Sequence, residues 1–131
     1  MKFGYRKSAM VGSELILISA QFKGTSGNKD EILAKMNELM AKRRASQPLQ
    51  YPSCGSAFKR PEGYFAGALI EQCGLKGKSI GGAQVSEKHA GFVINKGDAT
   101  ATDVIELLNY VSDTVFEQTG VRLEPEIRII Y

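Results

Sequence analysis

The run Pro52-Ser53-Cys54-Gly55-Ser56-Ala57-Phe58-Lys59-Arg60-Pro61 constrains this chain more than any other stretch. Proline fixes φ and pushes the residue before it towards extended geometry, so neither end of the run continues as helix. Gly55 permits a backbone conformation or a close approach that a side chain would block. The pattern predicts a stiff loop that presents Ser56 outward, with Lys59 and Arg60 just downstream. A Gly/Ser/Pro run is ordinarily a connection between two elements, so its company elsewhere in the chain decides how it is read.

A chain of 131 residues is long enough to bury a real core. Its longest apolar patch, Leu15 to Ile18, is strand-sized, so no segment spans a bilayer. Met1-Lys2-Phe3-Gly4-Tyr5-Arg6 lacks the apolar centre of a signal peptide, which predicts a cytoplasmic location. Cys54 and Cys73 have no CxxC spacing and share the chain with a single histidine, His89. That argues against zinc or any other metal site, and a reducing compartment argues against a disulfide. A net charge of +3 suits an anionic small ligand and does not call for nucleic acid.

In chain order, Leu15-Ile16-Leu17-Ile18-Ser19-Ala20-Gln21-Phe22 reads as a strand covered on both faces. Asn28, three residues before Glu31, predicts a helix start. Ile32, Leu33, Met36, Leu39 and Met40 then give one apolar face to a helix of about 15 residues. Its basic end, Lys42-Arg43-Arg44, complements the helix dipole. After the proline-bounded run, a short helix carries Phe65, Leu69 and Cys73 on one side, and Gly74 closes it. Residues 80–85 read as a strand kinked at Gly81-Gly82, and residues 90–95 as another. A long helix follows from about Thr102 to Gln118, buried through Val104, Leu107, Leu108, Val111 and Val115 and closed by Gly120. Residues 121–130 end the chain as an alternating strand, with Leu123, Ile127 and Ile129 on one face and Glu126 and Arg128 on the other. The fold class expected is α+β, a small, mainly antiparallel sheet with helices packed on it.

Several segments, together and in this order, carry a specific resemblance. They are Phe3-Gly4-Tyr5-Arg6-Lys7-Ser8, the run from Pro52 to Pro61, Phe65-Ala66-Gly67 and Gly74-Leu75-Lys76-Gly77. Further on come Ile80-Gly81-Gly82, Lys88-His89-Ala90-Gly91-Phe92, Ala99-Thr100-Ala101-Thr102-Asp103 and Glu126-Ile127-Arg128-Ile129-Ile130. With them the chain resembles the C-terminal part of the UDP-N-acetylenolpyruvoylglucosamine reductase (UDP-N-acetylmuramate dehydrogenase) family, in its shorter, Gram-positive-type branch. The resemblance implies the flavoenzyme reaction of peptidoglycan precursor synthesis. NADPH reduces FAD, the reduced flavin delivers hydride to C3 of the enolpyruvyl ether, and C2 is protonated. It implies Ser56 as the proton donor to C2, with Arg6 and Glu126 stabilising the enolic intermediate. Glu126 would help an anionic intermediate by presenting or sharing a proton. Lys76, His89, Arg60 and Tyr5 are implied as contacts to UDP-N-acetylglucosamine enolpyruvate. Gln47 stands where the family commonly has lysine, so no charge-based role is assigned to it.

By the same resemblance, residues 1–46 are the tail of a flavin-binding portion and residues 47–131 the substrate-binding domain. The glycine-rich pyrophosphate loops of that portion are not in this sequence. FAD and NADPH therefore belong to the complete family enzyme, and neither is expected to bind the 131 residues alone. An unpaired edge at residues 15–22 offers a route to a homodimer. The competing reading is a non-catalytic nucleotide-sugar binding module that uses Lys76, Arg60 and His89. A serine hydrolase built on Ser56, His89 and Glu126 lacks the nucleophile-elbow pattern. Nucleic-acid binding through Lys42-Arg43-Arg44 lacks interleaved aromatics.

Overall fold

The computed structural model describes residues 1–4 and 7–130, so Tyr5 and Arg6, both singled out by the sequence, lie outside the described residues. Two compact units are distinguished, Met1–Leu33 and Ala34–Tyr131. In the first, Gly4 and Lys7 exchange backbone hydrogen bonds, and the Ala9 N–H donates to the Met1 carbonyl at 2.7 Å. Residues 15–28 have no regular structure, which corrects the strand expected there. Ile16 and Ile18 are 87% and 94% exposed. A β-strand exists only as a member of a ladder, and no described segment pairs with this one. The edge expected to mediate a homodimer is therefore not formed.

Helix α1, Lys29–Ser46, starts as expected: the Asn28 side-chain oxygen accepts the Asp30 and Glu31 N–H groups at 2.9 and 3.2 Å. Its apolar face is nevertheless uncovered, with no buried residue along the helix. Lys42 and Lys35 both pair with Glu38 and hold its carboxyl below the usual carboxylate range.

The second unit is built on a four-stranded antiparallel sheet in the order β1-β4-β3-β2. The strands are β1 Ser53–Ser56, β2 Ser79–Ile80, β3 Ala83–Val85 and β4 Phe92–Asn95. Helix α2, Ala66–Gln72, precedes β2, and helix α3, Ala101–Thr119, follows β4. Ala83, Val85 and Val93 from the sheet meet Leu69 and Ile70 of α2 and Leu107, Leu108, Val111 and Val115 of α3 in one core. Full burial of each large aliphatic side chain stabilises by about 1.5–3 kcal/mol. The α+β architecture expected from the sequence is the one observed.

Three elements differ from expectation for identifiable reasons. Residues 80–85 form a hairpin rather than one kinked strand: Ile80 pairs with Ala83 across Gly81-Gly82. Gly81 has a φ of +50°, and a Cβ on Gly82 would lie 2.2 Å from the Gly97 carbonyl oxygen, so glycine is required at the turn. Phe65 does not join the buried side of α2. It is the N-cap residue and 62% exposed, while Ala66, Leu69 and Ile70 make the buried face. Residues 121–130 form no continuous strand, only a bridge between Phe58 and Pro125. Leu123 is buried and Ile127 packs on the core, but Ile129 is 43% exposed. Pro125 has no N–H to offer a further strand on its outer side, away from residues 57–59. At α3, Gly120 takes the left-handed conformation expected of a C-terminal glycine. Thr100 and Asp103 form a capping box at its start.

Candidate functional site

The proline-bounded run folds as β1 with a built-in irregularity. Ser53 pairs with Ile94 and Ser56 with Phe92, so β1 carries one residue more than β4 between the two pairs. Gly55 absorbs that bulge at a φ of +81°. Bulges re-aim side chains beside functional sites, and here the bulge immediately precedes Ser56, which is exposed as expected.

The next residue, Ala57, is the point on which the site converges. Its N–H donates to the Gly91 carbonyl at 2.8 Å, and its carbonyl accepts the Glu126 N–H at 2.9 Å. Lys59 N–H then donates to the Glu124 carbonyl at 2.8 Å, completing the pairing around Phe58 and Pro125. Neither flanking bond needs an N–H from Pro125, which is why a proline is tolerated here. An ion pair between the Lys59 and Glu124 side chains joins the same two segments. The backbones carrying Ser56, His89 and Glu126 are thus gathered around one residue, although they are far apart in sequence.

Arg60 lies at the N-terminal end of α2. Its Nε donates to the Tyr64 carbonyl at 3.2 Å, and its guanidinium stacks 3.9 Å from the centre of the Phe65 ring. His89 reaches the same end of the helix: a Cβ on Gly67 would lie 3.3 Å from its Cε1. Lys76 follows the other end of α2 and forms an ion pair with Glu71 at 2.7 Å. Its neighbour Gly77 packs against Glu87, two residues before His89. Arg60, Ser56, His89 and Glu126 therefore belong to adjoining backbone segments, with Lys76 approaching the 86–90 loop from its opposite end. The exposed aromatics Tyr64 and Phe65 were not anticipated as part of this surface. Their signal was two adjacent rings four and five residues after an arginine.

Two concavities flank these segments. One, of about 340 Å³, has a mainly apolar lining that includes Cys54, Val93, Thr100, Val104 and Ile127. The other, of about 180 Å³, is more polar and includes Tyr51, Gln84, Ser86, Lys88 and Lys96. Neither takes in Ser56, Arg60, Lys76, His89 or Glu126. Among the described residues no group of three or more His, Cys, Asp or Glu side chains could hold a metal. No helix among them is long and apolar enough to cross a membrane.

A flavin diphosphate would need a glycine cradle lined by N–H donors. The glycine pair closest to that pattern, Gly81-Gly82, is closed. A Cβ on Gly81 would meet the Asp103 carboxylate at 2.4 Å, and one on Gly82 would meet backbone of Gly97 and Ala99. A carboxylate and a carbonyl oxygen there oppose an anion, so Gly81-Gly82 does not fit a flavin diphosphate, and the hydride step is not assigned to it.

Comparison with known proteins agrees with the resemblance seen in the sequence. Residues 47–130 match the family model for the UDP-N-acetylenolpyruvoylglucosamine reductase C-terminal domain. Over 99% of its length the chain is 54% identical to the UDP-N-acetylenolpyruvoylglucosamine reductase of Latilactobacillus sakei and 56% identical to that of Streptococcus pyogenes serotype M5. It spans 43% and 44% of those relatives, less than half their length. The crystal structure of the reductase from Thermus caldophilus superposes on 80% of the chain with a TM-score of 0.64 at 40% identity, using 37% of that protein. The chain belongs to the UDP-N-acetylenolpyruvoylglucosamine reductase family, and residues 47–130 are a C-terminal domain of that type.

Proposed function

We propose that this chain supplies the substrate-binding and proton-delivering part of a reductase that converts UDP-N-acetylglucosamine enolpyruvate to UDP-N-acetylmuramate, with residues 47–131 as the substrate-binding domain. The observation that carries the reading is the convergence at Ala57, whose two backbone hydrogen bonds draw the His89 loop and the Glu126 segment to the residue after Ser56. On this reading the Ser56 hydroxyl gives its proton to C2 of the enolpyruvyl group. Glu126 shares a proton with the developing enolic oxygen, a role that depends on donors fixed before the reaction. Arg6 completes that stabilisation, and Tyr5 is a further substrate contact. Arg60, His89 and Lys76 bind the nucleotide sugar, whose diphosphate suits cations and N–H donors. The hydride and the FAD and NADPH behind it belong to the whole reductase, and its cytoplasmic location accompanies that reading.

Isothermal titration of the 131-residue chain with UDP-N-acetylglucosamine enolpyruvate tests the binding half. Lys76→Ala is expected to weaken affinity about tenfold, the worth of one charged hydrogen bond. Ser56→Ala is expected to leave affinity within about twofold, because a proton donor acts after binding. Saturable binding that is indifferent to Lys76, Arg60 and His89 would sink the assignment. Self-association through the exposed residues 15–22 is the partner reading that remains. It predicts a molar mass that rises with concentration in light scattering and stops rising when Ile16 and Ile18 are changed to Ser.

A further inference from the structure

The imidazole of His89 is held more tightly than an exposed side chain requires. The Gly91 N–H donates to its Nδ1 at 3.1 Å. The Phe92 ring meets it edge-on, with centroids 5.0 Å apart and planes at 73°. Two glycines leave the space it fills. A Cβ on Gly91 would stand 3.0 Å from Cε1 and 3.2 Å from Nδ1, and one on Gly67 would stand 3.3 Å from Cε1. Neither glycine has a positive φ, so neither is there for its backbone conformation. Gly67 lies inside α2, where alanine is the better helix former. At Gly67 the absent Cβ also admits the Gly91 backbone, whose nitrogen would lie 3.3 Å from it, so this glycine serves both the ring and the segment that carries it, whereas the nearest contacts at Gly91 are ring atoms.

We infer that Gly67 and Gly91 are positioning residues that form a slot for His89, fixing its neutral ring in the Nε2–H tautomer so that Nε2 serves as a hydrogen-bond donor to an oxygen of the bound nucleotide sugar. In neutral imidazole one nitrogen donates and the other accepts. Nδ1 already accepts the Gly91 N–H, so the ring proton resides on Nε2. The slot lies beside Ser56, because the Gly91 carbonyl that follows this N–H is the acceptor for Ala57. The ring is thus registered against the strand that presents the serine. Its role toward the nucleotide sugar rests on the function proposed above, whereas the slot itself does not.

His89 is the chain's sole histidine, so ring-nitrogen NMR of the 15N-labelled 131-residue protein reports on it without ambiguity. The native protein is expected to show the Nε2–H tautomer alone. Gly91→Ala, which drives a methyl into the ring, is expected to show the tautomer mixture of the urea-denatured chain, with Gly67→Ala in between. Urea unfolding of each variant checks that it is folded, and Gly67→Ala keeps the test open should Gly91→Ala not fold. A native ring showing the denatured-chain mixture overturns the slot. So do folded alanine variants that both keep the single tautomer. Titration with UDP-N-acetylglucosamine supplies the second readout: the Nε2–H resonance should move, and affinity should fall about tenfold in the alanine variants. A fixed native tautomer without any response to UDP-N-acetylglucosamine overturns the nucleotide-sugar reading and leaves the slot standing.

Discussion

Ser112→Ala tests how the core holds the segment that carries Glu126. Ser112 sits on the buried face of α3, and its hydroxyl donates to the Leu123 carbonyl at 2.8 Å. Both residues are nearly inaccessible, at 7% and 2% exposure. Alanine removes the donor and strands a buried carbonyl, at a cost of about 1–3 kcal/mol. Alanine is also the better helix former, which returns about 0.5 kcal/mol. The lost hydrogen bond wins, and the expected net destabilisation is about 1–2 kcal/mol. In urea the midpoint should fall at unchanged slope, and the melting temperature should drop by roughly 4–8 °C per kcal/mol for a unit of this size. Because Leu123 is followed directly by the residues that pair with 57–59, amide exchange at Lys59 and Glu126 should accelerate more than exchange in the middle of α3. Thr114→Ala is the control. Its hydroxyl bonds the Tyr110 carbonyl one turn back on the exposed side of the same helix, so alanine there should be neutral or stabilising. A Ser112→Ala protein within about 0.5 kcal/mol of the parent would show that the 123–126 segment is not pinned through this bond, and the reasoning would fail.

Asp103 links the start of α3 to the β2–β3 turn, accepting the Thr100 N–H at 2.9 Å and the Gly82 N–H at 3.3 Å. Those two bonds, Thr100 first, hold its carboxyl below the usual range. A depressed folded value means stability that is present above the unfolded pKa and lost as pH falls through the folded one. The stability gap between the parent and Asp103→Asn should therefore be full at neutral pH and shrink below about pH 4; a gap that stays constant through the acid limb would refute the assignment. Gly82→Ala should cost about 2–3 kcal/mol in chemical denaturation, since the new methyl meets the backbone of Gly97 and Ala99, which cannot rotate away as a side chain can. Unchanged stability there would mean that the hairpin and the α3 entry can separate freely.

The elements legible from the sequence were those whose causes are local. The long helix is marked by five apolar residues at helical spacing and a terminal glycine, and it forms as Ala101–Thr119. Its start falls one residue before the Thr102 expected, where the Thr100 and Asp103 capping box sets it. Gly81-Gly82 was misread because a glycine pair fits a kink as well as a two-residue turn, and only the pairing of Ile80 with Ala83 separates them. Residues 15–22 and the apolar side of α1 failed for the opposite reason. Their composition predicts burial, but burial requires a second surface, and none of the described elements covers them.

For the candidate site, the sequence by itself offered the residue types: one serine beside a glycine, an arginine, a lysine, one histidine and a carboxylate near the chain's end, in an order that marks the family. It could not say which of these stand together, because spacing along a chain carries no distance across a fold. The tertiary structure decided that through Ala57, whose N–H and carbonyl bind Gly91 and Glu126 from opposite sides. It also assigned Gly67 and Gly91 a purpose that no local pattern carries. Gly67, inside a helix, reads as a weakness until the neighbouring segment is in place and the ring of His89 and the backbone of Gly91 fill the space left for them.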